Sequence, residues 1–112
     1  LRIVSRHPER AFRLRPLANL GQIEFVRGDT TRPSTIARAF DGAYGAVNLV
    51  GAFAGDLDAL QGAGAGRIAT LAKAAGAQAL VHVSALGADA ASASEYARTK
   101  AEGEAAVRAA FP

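Results

Sequence analysis

Several residue types are scarce or absent in this chain. Its 112 residues include no Cys, Met or Trp and only two Tyr. Without Cys the chain can form neither disulfides nor thiolate zinc sites, and it is compatible with a reducing compartment. So few aromatic residues argue against a stacking platform for single-stranded nucleic acid. No apolar run approaches the roughly 20 residues that a membrane-spanning helix needs, so we expect no transmembrane segment.

Positive charge is concentrated near the start of the chain. Residues 1–15 contain five Arg and one acidic residue, Glu9, whereas the whole chain has a formal net charge of only +3. A local cluster within a mildly basic chain favours an anion-binding site over a general nucleic-acid surface. We therefore expect no nucleic-acid partner.

Strand-like and helix-like segments alternate along the chain. The predicted strands are Leu1–Ser5, Gln22–Arg27, Gly45–Val50 and Ala79–Ser84. The predicted helices are an irregular one over Glu9–Leu20, interrupted by Pro16, and regular ones over Pro33–Phe40, Leu57–Ala75 and Ser94–Ala110. This order indicates an α/β fold with a parallel sheet, because parallel strands need crossover connections. The last two strands are almost continuously apolar, which is typical of strands covered on both faces.

In open parallel sheets, ligands bind beyond the carboxyl ends of the strands. In this chain those positions are occupied by Ser5-Arg6, Gly28-Asp29, Val50-Gly51 and Ser84. We therefore expect the functional residues to lie at this edge of the sheet.

The most informative pattern is Tyr96-x-x-x-Lys100, which follows Ser84 by twelve residues. On a helix, positions i and i+4 share a face, and an ammonium near a phenol favours the phenolate. Such a tyrosine can exchange a proton with an alcohol or carbonyl oxygen, and Ser84 can hydrogen-bond the same oxygen. The alternative is an amphipathic helix that simply carries a surface Lys.

The combination of Ser84 with Tyr96-x-x-x-Lys100 resembles the short-chain dehydrogenase/reductase superfamily. The segments Val81–Ala88 and Ser94–Glu104 are similar to its extended/atypical branch, which includes NAD-dependent epimerases and dehydratases. Within that branch they resemble bacterial relatives of the nucleotide-binding accessory subunit of respiratory complex I. The resemblance extends over essentially the whole chain. It implies a Rossmann-like, doubly wound parallel sheet in which Ser84, Tyr96 and Lys100 are catalytic.

The resemblance also implies an NAD(P) cofactor. In the family, the residue after the second sheet strand contacts the adenosine ribose, and here that position is Ser5-Arg6. A guanidinium there can hold the 2′-phosphate of NADP, so we expect NADP to be favoured, with NAD as the open alternative. Arg10 lies one helical turn further on and can assist. A solvated basic face is the other interpretation of Arg6 and Arg10.

Further cofactor contacts are implied at three other places. Asp29, with Thr30 beside it, corresponds to the family aspartate next to the adenine ring. A simple turn residue is the alternative interpretation of Asp29. Val50 and Gly51 match the loop after the following strand, where a Gly lets the backbone approach the cofactor. Lys100 corresponds to the family lysine that also hydrogen-bonds the nicotinamide ribose.

The Gly-rich phosphate loop of the family has no counterpart in this sequence. The segment Gly62–Gly66 is rich in Gly but lies within a predicted helix, so it is not a phosphate loop. The resemblance therefore implies a partial NAD(P)-binding Rossmann domain over residues 1–112, with strands 2 to 5 of the complete fold. In the strand order 3-2-1-4-5-6, a missing strand 1 predicts two strand pairs separated by a gap. We expect such a chain to be inactive alone.

Two functions are compatible with these features. The first is an NADP(H)-linked oxidoreductase or epimerase-type activity on a carbonyl or alcohol whose identity the sequence does not reveal. The second is a non-catalytic NADPH-binding module, structural or redox-sensing, that associates with subunits of a respiratory complex. We expect a cytoplasmic location, or a peripheral position at the inner membrane under the second hypothesis, and no metal site.

Overall fold

The computed structural model describes residues 1–112, and strands alternate with helical segments along all of it. The strands are β1 (Arg2–Ser5), β2 (Glu24–Arg27), β3 (Gly45–Asn48) and β4 (Ala79–His82). The α-helices are α1 (Pro33–Ala37), α2 (Leu57–Gln61), α3 (Ala63–Ala74) and α4 (Glu95–Ala110), and 3₁₀ segments cover Pro8–Leu17 and Arg38–Phe40. The predicted α/β fold is confirmed. None of the helices combines the length and the apolar character that a membrane span requires.

The four strands form two separate parallel pairs, β1–β2 and β3–β4. Ile3 lies opposite Phe25 in the first pair, and Val47 lies opposite Val81 in the second. A cleft of about 1070 Å³ is lined by residues of both β1 and β3. The predicted gap in the sheet is therefore present. It leaves one edge of β1 and one edge of β3 without a hydrogen-bonded neighbour.

The predicted strand ends require correction. β3 stops at Asn48 and β4 at His82, two residues earlier than the apolar runs suggested. Val50 and Ser84 therefore lie in the loops that follow these strands. The expectation that both faces of β3 and β4 are covered was also wrong, because Val47 and Val81 are 63% and 56% exposed. Helices cover only the opposite face of this pair, where Asn48 is buried.

The arginine-rich segment after β1 forms a 3₁₀ helix that ends at Leu17, earlier than the predicted Leu20. Pro16 has no N–H to donate, which prevents a regular α-helical ending there. The segment is held by aromatic packing: the Phe12 and Phe25 rings lie 5.2 Å apart, edge to face. The Arg15 guanidinium lies 4.0 Å from the centre of the Phe12 ring. This segment has no fully buried residue, so its arginines remain near the surface.

The single helix predicted over Leu57–Ala75 is instead two helices that meet at Gly62. The Asp58 carboxylate accepts a hydrogen bond of 2.9 Å from the N–H of Ala63 and thereby caps the start of α3. A side chain at Gly62 would overlap Asp58, so Gly is needed at this break. The interruption turns the last residue of α2, Gln61, into the interior.

Helices α3 and α4 pack closely because small residues line their contact. Ala65, Ala69 and Ala72 of α3 are completely buried. Gly103 of α4 lies against the backbone carbonyl of Gln61 with no room for a Cβ atom. The close approach fixes the height of α4, and with it the Tyr96–Lys100 turn, relative to α2 and the strand ends.

Candidate functional site

The carboxyl ends of β3 and β4 lie side by side because the two strands are parallel neighbours. The N–H of Val83 donates a 3.0 Å hydrogen bond to the carbonyl of Asn48, which continues the pairing just beyond the strands. The two loops that follow, Leu49–Phe53 and Val83–Ala88, therefore begin at the same place. Helix α4 supplies Tyr96 and Lys100 to this edge.

Lys100 connects the two loops. Its side chain is almost fully buried, with 4% exposure, and its Nζ lies 3.4 Å from each of the carbonyl oxygens of Val50 and Val83. Burial lowers the pKa of the Lys100 ammonium. A Cβ atom at Gly51 would lie only 3.1 Å from this Nζ, so Gly at this position leaves room for the ammonium.

Tyr96 lies one turn earlier on the same face of α4, as the i, i+4 spacing predicted. The Lys100 Nζ is 6.0 Å from the centre of its ring. The ring of Phe53 stacks on that of Tyr96 with centroids 4.8 Å apart and planes 19° apart. Phe53 is 86% exposed, so this stack stands at the surface of the site. Nothing in the Tyr-x-x-x-Lys pattern indicated Phe53, which belongs to the loop after β3.

Ser84 lies in the loop after β4, where its hydroxyl oxygen is buried and has no hydrogen-bond partner. Buried hydroxyls usually have a partner, so an unsatisfied one at a strand end is a candidate contact for a ligand. The Tyr96 and Ser84 side chains are not among those lining the cleft between β1 and β3, whereas Val50 and Gly51 are.

His82 and Asn48, the last residues of β4 and β3, hold the start of the loop after β3 by hydrogen bonds. Asn48 Nδ2 lies 3.1 Å from His82 Nδ1, and Asn48 Oδ1 accepts a 3.0 Å hydrogen bond from the N–H of Val50. Burial lowers the pKa of His82, and the charge of Lys100 lowers it further, whereas Glu104 acts in the opposite direction. A neutral His82 can accept the hydrogen bond from Asn48 at Nδ1, so the pair holds Val50 in place.

Gln61 is a second residue that the sequence did not single out. Its side chain is completely buried and is hydrogen-bonded to both the loop after β3 and helix α4. It sits at the break between α2 and α3, which the predicted continuous helix concealed.

The β1–β2 pair carries the second group of predicted residues. Ser5 Oγ accepts a hydrogen bond of 3.2 Å from the N–H of His7, and the carbonyl of Arg6 accepts one of 2.7 Å from Arg27. The Arg6 and Arg10 side chains are exposed, and neither guanidinium is within ion-pair distance of a carboxylate. Both cations are therefore available to an anion.

Asp29 closes a tight turn after β2. Its Oδ1 accepts hydrogen bonds from the N–H of Thr31 at 2.9 Å and from the Thr31 hydroxyl at 2.7 Å. These bonds lower the pKa of Asp29, and the nearby charges of Arg6 and Arg32 lower it further. Asp29 therefore stabilises this turn, and its carboxylate is ionised with the charge of Arg6 nearby.

The cleft brings parts of both groups together. Its lining includes Ser5, Arg6 and Thr30 from the β1–β2 pair and Val50 and Gly51 from the loop after β3. The Thr30 carbonyl also accepts a hydrogen bond of 3.2 Å from Arg67 of α3, which ties the turn after β2 to the helical layer. Lys100 contacts the same edge through its hydrogen bond to the carbonyl of Val50.

Comparison with known proteins bears on the family and the fold of the chain. A family model described as NAD(P)H-binding matches residues 1–110. Among solved structures, the fold is similar to that of Citrobacter sp. triphenylmethane reductase in complex with NADP(H), with a TM-score of 0.72 and 19% sequence identity. The match covers 97% of this chain and 36% of the reductase chain. The chain thus spans about a third of that protein and has the same Rossmann-like fold over this part.

Proposed function

Because the chain belongs to the NAD(P)H-binding family, we propose that it is part of an NADP(H)-dependent oxidoreductase or epimerase-type enzyme of the extended short-chain dehydrogenase/reductase branch. Its substrate would be a carbonyl compound or an alcohol, with Tyr96 as the acid–base residue. The observation that carries this proposal is the position of Lys100. Its buried ammonium joins the loops after β3 and β4 at the edge where open parallel sheets bind nucleotides.

The residues at this edge fit a dinucleotide. Arg6 and Arg10 are exposed and unpaired and would hold the 2′-phosphate, with Ser5 beside them. Asp29 and Thr30 would flank the adenosine. Val50 and Gly51 line the cleft and would lie along the nicotinamide half, where the absence of a Cβ at Gly51 leaves space beside Lys100. When bound, the nicotinamide supplies or accepts the hydride. On this interpretation residues 1–112 are part of a NAD(P)-binding Rossmann domain.

Three side chains would handle the proton and the substrate oxygen. Tyr96 would give its phenolic proton to a carbonyl oxygen, or take one from an alcohol. Lys100 would stabilise negative charge on the phenol by its own charge and would hydrogen-bond the nicotinamide ribose. The Ser84 hydroxyl, which has no partner within the chain, would donate to the substrate oxygen and orient it. Phe53, stacked on Tyr96, would shield one face of the phenol from water.

A preference for NADP over NAD is expected from Arg6. We predict that Arg6→Asp raises the Kd for NADPH about tenfold or more, because a charge-assisted hydrogen bond to phosphate contributes about 1.5–3 kcal/mol. The Kd for NADH should change by less than about threefold, since NADH has no 2′-phosphate to lose. Titration of both nucleotides by calorimetry measures the two effects.

Arg13→Asp is the matched control for this prediction. Arg13 is exposed on the 3₁₀ segment Pro8–Leu17 that follows Arg6, and its replacement makes the same change in net charge, but it is outside the proposed site. Equal losses for NADPH and NADH in Arg6→Asp, or an equal loss in Arg13→Asp, would show that Arg6 does not recognise the 2′-phosphate.

The rival function is a non-catalytic NADPH-binding module of a respiratory complex, at the inner membrane. The resemblance of Val81–Ala88 and Ser94–Glu104 to bacterial relatives of the nucleotide-binding accessory subunit of complex I favours it. Such a module would bind NADPH tightly, would turn over no carbonyl or alcohol, and would copurify with subunits of the complex. The catalytic proposal expects turnover that depends on Tyr96.

A further inference from the structure

Gln61 forms a continuous hydrogen-bonded connection between the loop after β3 and helix α4. Its Oε1 accepts a hydrogen bond of 3.1 Å from the N–H of Ala52. Its Nε2 donates one of 2.9 Å to the hydroxyl of Thr99, and this hydroxyl donates in turn to the carbonyl of Glu95 at 2.8 Å. Every donor in this series points the same way, from the loop into the first turns of the helix.

The two groups that Gln61 joins are those that the proposed chemistry uses. Thr99 stands between Tyr96 and Lys100 and is 5% exposed, so water does not compete for its hydroxyl. On the loop side, a Cβ atom at Gly51 would lie 3.6 Å from Gln61 Oε1 and 3.1 Å from Lys100 Nζ. The amide of Gln61 is thus next to the point where the loop meets the ammonium.

Because the amide group of Gln61 is buried, breaking either of its hydrogen bonds would leave a polar atom without a partner. The side chain has no exposed surface, and an unsatisfied buried amide is costly. Its backbone carbonyl also contacts Gly103 of α4, which leaves the helix no room to slide past it. A movement of the loop after β3 therefore requires either a broken bond at Gln61 or a movement of α4.

We infer that Gln61 is a positioning residue, which holds the Val50–Ala52 loop and the Tyr96–Lys100 turn at one fixed separation so that both contact the nicotinamide half of the cofactor. This inference rests on the proposed function for the location of that half. Gln61 makes no hydrogen bond to Ser5, Arg6, Asp29 or Thr30 on the β1–β2 pair. Its effect should therefore be confined to one half of the dinucleotide.

The experiment compares two ligands in the full-length protein, NADPH and 2′,5′-ADP, which keeps the adenosine half and lacks the nicotinamide. Gln61→Leu preserves most of the volume and removes both hydrogen bonds. We expect its Kd for NADPH to rise about tenfold while the Kd for 2′,5′-ADP stays within about twofold. A variant that is merely less well folded would lose affinity for both ligands equally, and that result would overturn the inference.

Thr99 provides a milder pair of variants in case Gln61→Leu folds poorly. Thr99→Val is nearly isosteric and removes the hydroxyl, whereas Thr99→Ser retains it. The Val variant should raise the Kd for NADPH about three- to tenfold, and the Ser variant should restore it to near the original value. Equal affinities in the two variants would contradict the inference. If the unaltered protein does not bind NADPH, the proposed function itself is refuted. Full turnover in a Tyr96→Phe variant would refute it as well.

Discussion

Replacing Tyr96 with Phe is expected to lower turnover by about 10²–10⁴-fold, the usual contribution of a positioned acid–base group. The substitution removes one hydroxyl and keeps the ring, so the stack with Phe53 is retained. The Kd for NADPH should stay within about twofold, because the cofactor contacts assigned to Arg6, Gly51 and Lys100 are unchanged. NADPH oxidation across a panel of aldehydes, ketones and quinones, together with nucleotide titration, measures both quantities in the full-length protein.

Tyr44→Phe is the matched control, since the chain has only two tyrosines and Tyr44 is 77% exposed just before the amino end of β3, at the opposite end of the strands from Tyr96. It should leave turnover unchanged. If Tyr96→Phe retains the turnover of the unaltered protein, Tyr96 is not the acid–base residue. Tight NADPH binding with no turnover of any panel member would favour the respiratory-complex module.

Lys100→Met is expected to stabilise the fold while it weakens NADPH binding. Met has a similar length and no charge. The substitution therefore removes the cost of burying a charged group, which is the cause of the lowered pKa of Lys100. The free energy of unfolding should rise near neutral pH, because the lowered pKa of Lys100 means that its charged form is less favourable in the folded chain than in the unfolded one. The Kd for NADPH should rise about tenfold or more with the loss of a charged donor.

The stability difference should depend on pH in a defined direction. Between the lowered pKa of native Lys100 and its unfolded value of about 10.4, the unfolded chain binds more protons than the native one. The stability of the unaltered protein therefore rises with pH across this window, and the advantage of the Met variant shrinks. Below this window Lys100 is charged in both the native and the unfolded chain, so the difference in stability between the two proteins no longer changes with pH. Chemical denaturation between neutral pH and the upper end of the window tests this.

Lys73→Met controls for the loss of a positive charge, because Lys73 is the other lysine of the chain and is exposed on α3. It should change neither the free energy of unfolding nor the Kd for NADPH appreciably. A Lys100→Met variant that is less stable at every pH would mean that the hydrogen bonds to Val50 and Val83 outweigh the cost of burying the ammonium.

Local patterns were sufficient to predict the order of strands and helices, since apolar runs and Pro, Gly and Asp signals act over a few residues. They could not locate the ends of β3 and β4. The apolar runs continue past Asn48 and His82, but the chain there turns into loops that are fixed by Asn48 and Lys100. The break at Gly62 was also missed, because it depends on the Asp58 cap and on a close contact that is absent from the helical pattern.

The candidate site likewise combines features that local sequence predicts with features that depend on tertiary packing. The shared face of Tyr96 and Lys100 follows from helical spacing alone, and the parallel order placed Val50, Gly51 and Ser84 at one edge. The burial of Lys100 between two carbonyls depends on the neighbouring positions of β3 and β4, which no segment specifies by itself. Gln61 and Phe53 come to the site from parts of the chain without a recognisable motif, so only the three-dimensional packing reveals them.

The proposed function requires one nucleotide to span from the β1–β2 turn residues to the Tyr96–Lys100 turn. Backbone amide chemical shifts of the full-length protein, recorded during titration with NADPH, test it most directly. We expect saturable changes at Arg6 and Thr30 and, with the same Kd, at Gly51 and Lys100. Changes confined to the arginine-rich segment Pro8–Leu17, with Gly51 and Lys100 unaffected at saturation, would contradict it.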